Sequence, residues 1–148
     1  MKSRIMTTFI LLVLAVFPSC NKNTENFPII PFGVSADYNG SRRINSESVY
    51  AQLQTGSMGS FVYFEAYDSA DNFMEFQIFN YRTLGTSAVP SGTVSIYYFS
   101  NYGATMDTVR SGQLTIVEYT DTTVGGTFNF ITASGLVVSN GSFNVNYQ

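Results

Sequence analysis

Apolar and polar residues alternate in short runs along most of the chain beyond residue 32. The runs are rich in β-branched and aromatic residues, and clusters of Gly, Asn, Asp and Ser separate them. No segment has the 3.6-residue repeat and the caps of an amphipathic helix, whereas a two-residue period is typical of strands. The pattern predicts strands at 33–38, 48–54, 60–67, 73–80, 93–99, 104–109, 112–119, 125–131 and 136–147, the last with an irregularity at Asn140-Gly141. We therefore expect an all-β fold, an antiparallel β-sandwich or small barrel of about eight to nine strands.

Two of these strands form a hairpin whose faces can be assigned from the sequence. If the loop 68–72 joins antiparallel strands, the pairing places one apolar residue opposite another along one face. These predicted core pairs are Val62 with Ile78, Phe64 with Phe76, and Ala66 with Met74.

The opposite face of that hairpin is the candidate ligand surface, which we call the mixed face. It consists of Phe61, Tyr63, Glu65, Tyr67, Phe73, Glu75, Gln77 and Phe79. Aromatic platforms beside amide and carboxylate groups are common on sheets that bind sugars. The alternative is that the aromatic residues belong to a second packed layer of the core.

The mixed face also carries the strongest remaining candidate for catalysis. The register places Glu65 directly opposite Glu75, and paired acids can serve a glycosidase or bind a cation. Directly opposed like charges are unfavourable, so we expect a slipped register with solvated acids and no catalysis.

A second hairpin is predicted around residues 121–123. Its expected register pairs Leu114 with Phe130 and Ile116 with Phe128 on the core side, and Thr115 with Asn129 on the outer side. The alternation indicates a ribbon that is buried on one face only.

The start of the chain resembles a bacterial lipoprotein signal peptide. Lys2 and Arg4 precede a largely apolar run at 5–17, and the small residue Ser19 precedes Cys20. The run has 13 residues, too few to cross ~30 Å of hydrocarbon as a helix. We expect a signal peptide at 1–19, a lipidated tether at 20–32 and an all-β domain at 33–148, with Cys20 as the attachment point to the membrane.

Charge and the missing residue types exclude several functions. Without residues 1–19 the chain keeps five cationic and ten acidic side chains, a net charge of −5, which disfavours nucleic acid as a partner. Arg42-Arg43 is expected to be a solvated turn pair.

There is no His and only one Cys, so zinc sites and Ser-His-Asp or Cys-His catalysis lack their residues. No phosphate-binding loop is present, and the loop with Asp68, Asp71 and Asn72 lacks the ligand spacing of a calcium site. We expect no metal, no cofactor and no enzymatic activity.

Four segments resemble a domain family of unknown function found in Bacteroidota lipoproteins. They are Val34 to Gly40, Ser111 to Ile116, Gly125 to Phe130 and Val138 to Phe143. The likeness covers most of residues 33–147 and implies an all-β lipoprotein domain. The family often has a tryptophan after its opening turn, and we expect Ile44 to fill that place. The resemblance brings no catalytic or binding residues.

The same resemblance implies candidate sites of O-glycosylation. Three triplets fit the Asp-Ser/Thr-X acceptor pattern of that phylum, and their acceptor residues are Ser69, Thr108 and Thr122.

Taken together, the residues predict a lipid-anchored protein of the cell envelope, attached to the outer membrane. We expect a binding or accessory module whose ligand is a glycan. The alternative is a structural or assembly component that contacts other envelope proteins through exposed strand edges.

Overall fold

The computed structural model describes residues 30–46, 49–68, 70, 72–100 and 103–148, with only the backbone of Arg42 and Arg43. These residues form strands and turns and no helix, which confirms the all-β class. The strands are β1 (Gly33–Tyr38), β2 (Ser41–Ser46), β3 (Ala51–Gly56), β4 (Gly59–Tyr67), β5 (Phe73–Ile78), β6 (Gly85–Val89), β7 (Val94–Ser100), β8 (Thr105–Tyr119), β9 (Thr123–Thr132) and β10 (Val137–Asn146).

All ten strands belong to one antiparallel sheet that is curled around its core. The strand order is β2-β1-β10-β9-β8-β7-β5-β4-β3, and β6 pairs with β8. The long strand β8 joins the two halves of the sheet. Its residues 105–108 pair with β7, and its residues 109–119 pair with β9 after a register shift between Val109 and Ser111.

We call the two parts the β3 half-sheet and the β2 half-sheet. The β3 half-sheet contains β3, β4, β5, β7 and the start of β8, and the β2 half-sheet contains the remaining strands. The curl brings the edge of β3 to the end of the chain. Ala51 forms a parallel bridge with Tyr147, and the Leu53 amide donates to the Gln148 carbonyl at 3.0 Å.

A cluster of phenylalanine rings joins the inner faces of the two half-sheets. Phe64 and Phe76 stack with ring centroids 4.4 Å apart in the β3 half-sheet. Phe128 lies 5.0 Å from Phe76, and Phe143 lies 5.5 Å from Phe64. All four rings are buried, so this cluster is the centre of one hydrophobic core.

Glycines on neighbouring strands make the space that these rings occupy. The cross-strand pairs are Phe143 with Gly126, Phe128 with Gly141, and Phe130 with Gly112. A methyl group on Gly126 would lie 2.8 Å from the Phe143 ring and 2.1 Å from the Thr115 carbonyl oxygen. Such distances are far below van der Waals contact, so each pair requires glycine.

Most predicted strands are confirmed, and two were missed. The predicted strands at 104–109 and 112–119 are one continuous strand, β8. The missed strands, β2 and β6, each have one buried hydrophobic residue among those whose side chains are described, Ile44 and Val89. Asn39-Gly40 forms the turn between β1 and β2 and was the sequence signal for this hairpin that the strand prediction did not use. Both residues have positive φ, 48° and 82°.

The register of the first predicted hairpin is correct. Val62 pairs with Ile78, Phe64 with Phe76, and Ala66 with Met74. All six side chains are buried. The irregularity expected at Asn140-Gly141 is also present, as a register shift between Val138 and Gly141.

The predicted register of the second hairpin is wrong by two residues. The structure pairs Leu114 with Phe128, Thr115 with Thr127, and Ile116 with Gly126. The chain reverses at a turn in which the Thr120 amide donates to the Thr123 carbonyl at 2.8 Å, and a bulge between Ile116 and Glu118 adds a residue. Because a two-residue shift keeps each side chain on its face, the predicted core side remains the core side.

The predicted leader and lipid attachment lie in a part of the chain that the structure does not describe. Residues 1–19, Cys20 and the tether up to residue 29 belong to that part. Ile30, in the last part of the predicted tether, is buried. Its backbone carbonyl accepts a hydrogen bond from the side-chain amide of Asn144 at 2.9 Å. Among residues 30–148, as far as they are described, no helix is long and apolar enough to cross a membrane.

The Gly126→Ala variant tests the ring-and-glycine packing. The added methyl group meets backbone as well as a ring, so we expect the free energy of unfolding to fall by at least about 2 kcal/mol. Urea unfolding followed by circular dichroism measures this change. Gly92→Ala is the matched control, because nothing lies within 4 Å of its methyl position. We expect it to change stability by less than about 1 kcal/mol. Equal losses in the two variants would contradict the packing argument.

Candidate functional site

The mixed face lies on the outer side of the β3 half-sheet. All eight of its residues are at least partly exposed, and none belongs to the buried core. Tyr67 is the most open of them, with 50 % of its surface exposed. The alternative in which these aromatics form a second packed layer is therefore wrong for the described chain.

Strand pairing extends the mixed face with residues that the sequence did not place there. Strand β7 pairs with β5, and β8 pairs with β7. These pairings add Tyr97, Phe99, Met106 and Thr108 to the same face. They could not be deduced from local spacing, because β6 and its loops separate β5 from β7 along the chain.

One edge of the enlarged face is a line of apolar side chains, which we call the aromatic row: Tyr67, Phe73, Phe99 and Met106. The Tyr67 and Phe73 ring centroids are 5.1 Å apart, and Phe73 and Phe99 stack at 4.5 Å with an interplanar angle of 11°. The Phe73 ring therefore packs between the rings of Tyr67 and Phe99. Tyr67 and Met106, at the two ends of the row, are 50 % and 55 % exposed, and Phe73 and Phe99 between them are partly exposed.

The adjacent line of side chains is polar, and we call it the carboxylate row: Glu65, Glu75, Tyr97 and Thr108. Glu65 and Glu75 are directly opposed, so the predicted pairing is correct and the expected slip is wrong. Neutral donors partly balance the two charges. Glu65 accepts hydrogen bonds from the hydroxyls of Tyr63 and Tyr67, and Glu75 accepts one from the Gln77 amide at 2.7 Å.

No cationic side chain within the described part of the chain pairs with either carboxylate. The described salt bridge joins Arg82 to Asp121 at 3.6 Å. Arg110 follows Val109 at the β8 bulge, and the whole of β7 separates β8 from β5. The carboxylate row therefore presents negative charge next to exposed aromatic edges.

The phenols beside Glu65 hold their protons more tightly than free tyrosine does. Burial is the main cause that raises the pKa of Tyr63, followed by its hydrogen bond to Glu65 and the nearby charge of Glu75. For Tyr67, the hydrogen bond to Glu65 is the main cause that raises the pKa, followed by burial. Both hydroxyls therefore stay neutral donors to Glu65 at any physiological pH.

The far side of the mixed face is a second aromatic pair. Phe61 and Phe79 have ring centroids 4.7 Å apart. Tyr63 and Gln77, which are directly paired, lie between this pair and the carboxylate row. The polar groups at the centre of the face therefore lie between an aromatic pair on one side and the aromatic row on the other.

The loop with Asp68 uses its carboxylate for its own structure. One Asp68 oxygen accepts the amides of Ala70 and Asn72, at 2.7 and 3.0 Å, and the other accepts the Asn72 side chain at 2.8 Å. Ser69 and Asp71 lie outside the described residues. Among the residues that are described, no group of three or more Cys, Asp or Glu side chains could hold a metal ion.

Two of the three candidate glycosylation sites are described. Thr122 is exposed in the β8–β9 turn, and Thr108 is exposed on the carboxylate row. Modification at Ser69, Thr108 and Thr122 stays a prediction.

One depression on the described surface lies away from the mixed face. It measures about 400 Å³ and lies between Tyr50 and Gln148, where β3 meets the end of the chain. The mixed face lies on the outer side of the curled sheet, and an outer sheet face suits an extended ligand rather than a small enclosed one. No protein-family model, curated protein or solved structure matches this chain.

The raised pKa of Tyr63 predicts a loss of stability at high pH. The folded protein keeps the phenol proton at a pH where the unfolded chain has released it. This contribution to stability is complete below pH about 10 and disappears as the pH rises through the folded-state pKa. We expect Tyr63→Phe to lose less stability than the wild type between neutral and strongly alkaline pH, measured by urea unfolding. Tyr50→Phe, which changes an exposed phenol, should follow the wild-type profile, and coincident profiles for all three proteins would contradict the prediction.

Proposed function

We propose that this chain is a lipid-anchored binding module of the cell envelope, and that the mixed face binds carbohydrate. The observation that carries the proposal is an uncovered sheet face on which an aromatic row and a carboxylate row run side by side. Sugars offer both apolar C–H surfaces and hydroxyl groups, so they need both kinds of contact from a protein.

The hydrogen bonds on the face support a preorganised site. Glu65 is held by two phenols and Glu75 by one amide, so little side-chain entropy remains to be lost when a ligand binds. Carboxylates accept hydrogen bonds from sugar hydroxyls. The free face of Tyr67, next to Glu65, is the surface on which a sugar ring would stack.

The envelope address is a proposal that the sequence supports. The basic start, the apolar run and Ser19-Cys20 are the features of a lipoprotein leader. The resemblance to a Bacteroidota lipoprotein domain family favours the same address. A domain tethered outside the cytoplasm would meet glycans at the cell surface or in the periplasm.

Binding without catalysis fits the arrangement of the two acids. A glycosidase places its carboxyl groups on either side of the bond that it cleaves. Glu65 and Glu75 stand side by side on an open face, so a sugar chain lying on this face would have both acids on the same side of it.

The Tyr67→Ala variant tests the proposed surface. We expect wild-type protein to bind one or more glycans on an array, and the variant to lose at least about fivefold in affinity, as for a central aromatic contact. Isothermal titration with the best glycan measures the change. Tyr119→Ala removes a comparably exposed tyrosine from the β2 half-sheet and should keep full affinity. Equal affinity of both variants for the glycan would show that the binding site does not lie on the mixed face.

The Cys20→Ala variant tests the proposed anchor. We expect intact-mass analysis of protein from native membranes to show diacylglycerol on the wild type, because two acyl chains suffice for stable attachment. The variant should appear in the soluble fraction. An unlipidated wild-type protein released from membranes would indicate a secreted protein instead.

One observation favours assembly through protein contacts as a second candidate. Strand β6 carries no charged residue and pairs with β8 alone among the described strands. Unprotected edges of this kind accept strands from partner proteins. A stoichiometric partner that pairs with this edge would favour the second candidate over the first.

A further inference from the structure

The charge on the mixed face restricts the kind of carbohydrate that it fits. Glu65 and Glu75 are opposed residues of neighbouring strands, where like charges destabilise a sheet. Each oxygen of Glu65 accepts a hydrogen bond from a tyrosine hydroxyl. Within the described residues, only one oxygen of Glu75 accepts a side-chain hydrogen bond. The free protein therefore exposes an incompletely balanced pair of charges.

Such a pair, between aromatic side chains, is complementary to a cation. An ammonium group placed beside Glu75 would be attracted by two carboxylates and by the neighbouring ring of Tyr97, its cross-strand partner. An uncharged sugar hydroxyl could donate to the same oxygen, but it would leave the repulsion between the acids unchanged. Charge complementarity thus favours a positively charged ligand.

We infer that the mixed face docks a saccharide that carries free amino groups. This inference rests on the proposed function and names the substrate class of the same site. The polar groups around the acids favour a saccharide over a basic peptide. Tyr63 and Gln77 lie beside the pair along β4 and β5, and Thr108 lies beyond Tyr97 in the same row. Their hydroxyl and amide groups can form hydrogen bonds with the hydroxyls of a sugar.

The test compares three probes with the full-length protein by isothermal titration. They are a glucosamine oligomer with free amines, the N-acetylated oligomer of equal length and linkage, and oligolysine of similar charge. We expect the wild type to prefer the free-amine oligomer over both other probes. We also expect this preference to shrink as salt is added, because exposed charges are screened.

Glu75→Gln isolates the contribution of the charge, since it keeps the shape of the side chain. We expect it to lower affinity for the free-amine oligomer about two- to fivefold more than affinity for the acetylated oligomer, because only the free-amine oligomer loses an exposed ion pair. Glu118→Gln removes the same charge from a residue of the β2 half-sheet and should change neither affinity. Urea unfolding of both variants verifies that they fold.

The remaining outcomes separate the inference from the proposed function. Equal wild-type affinity for the two saccharides would overturn the inference and leave carbohydrate binding intact. Oligolysine binding as tightly as the free-amine oligomer would also overturn it, in favour of a basic polypeptide. If neither these saccharides nor an array of other glycans bound, the proposed function would fail together with the inference.

Discussion

The fold depends on phenylalanine rings that lie over glycines of the neighbouring strand. Phe143, Phe128 and Phe130 each face a glycine across β8, β9 and β10. Without a Cβ on those glycines, the rings can lie flat against the sheet and still reach the rings of the opposite half-sheet. The curl of the sheet and the single core both follow from this packing.

The curl gives the molecule two outer faces of different chemistry. Across the β2 half-sheet, hydroxyl and amide side chains occupy successive strands: Thr86, Thr115, Thr127, Ser142, Ser35 and Asn45. Some of them bond to each other, with 2.8 Å between the Thr86 and Thr115 hydroxyls. Hydroxyl and amide groups of this kind are readily solvated. The β3 half-sheet instead exposes stacked rings and two opposed acids. That contrast supports the proposal that the β3 half-sheet carries the binding site, because contiguous exposed apolar side chains are common on interaction surfaces.

The mixed face combines rigidity with unfavourable electrostatics. Stacking of Phe73 on Phe99 and the bonds from phenols to Glu65 restrict the side chains before any ligand arrives. The like charges of Glu65 and Glu75, which are directly opposed, lower the stability of the sheet. Sites that break a rule of stability are the ones where function is expected, since packing alone would not select them.

The sequence by itself determined the all-β class, the β4–β5 hairpin and the eight residues of the mixed face. These are local properties, because a short loop and a two-residue period decide which side chains share a face. Tertiary structure decided the rest. The position of the turn and one bulge together shifted the β8–β9 register by two residues, the polar strand β2 formed against β1, and β7 joined β5 across an intervening strand to add Tyr97, Phe99, Met106 and Thr108. Whether the mixed face is core or surface also depended on the curl of the sheet. Alternation separates two faces of a strand, but only the packing of distant strands decides which of them is covered.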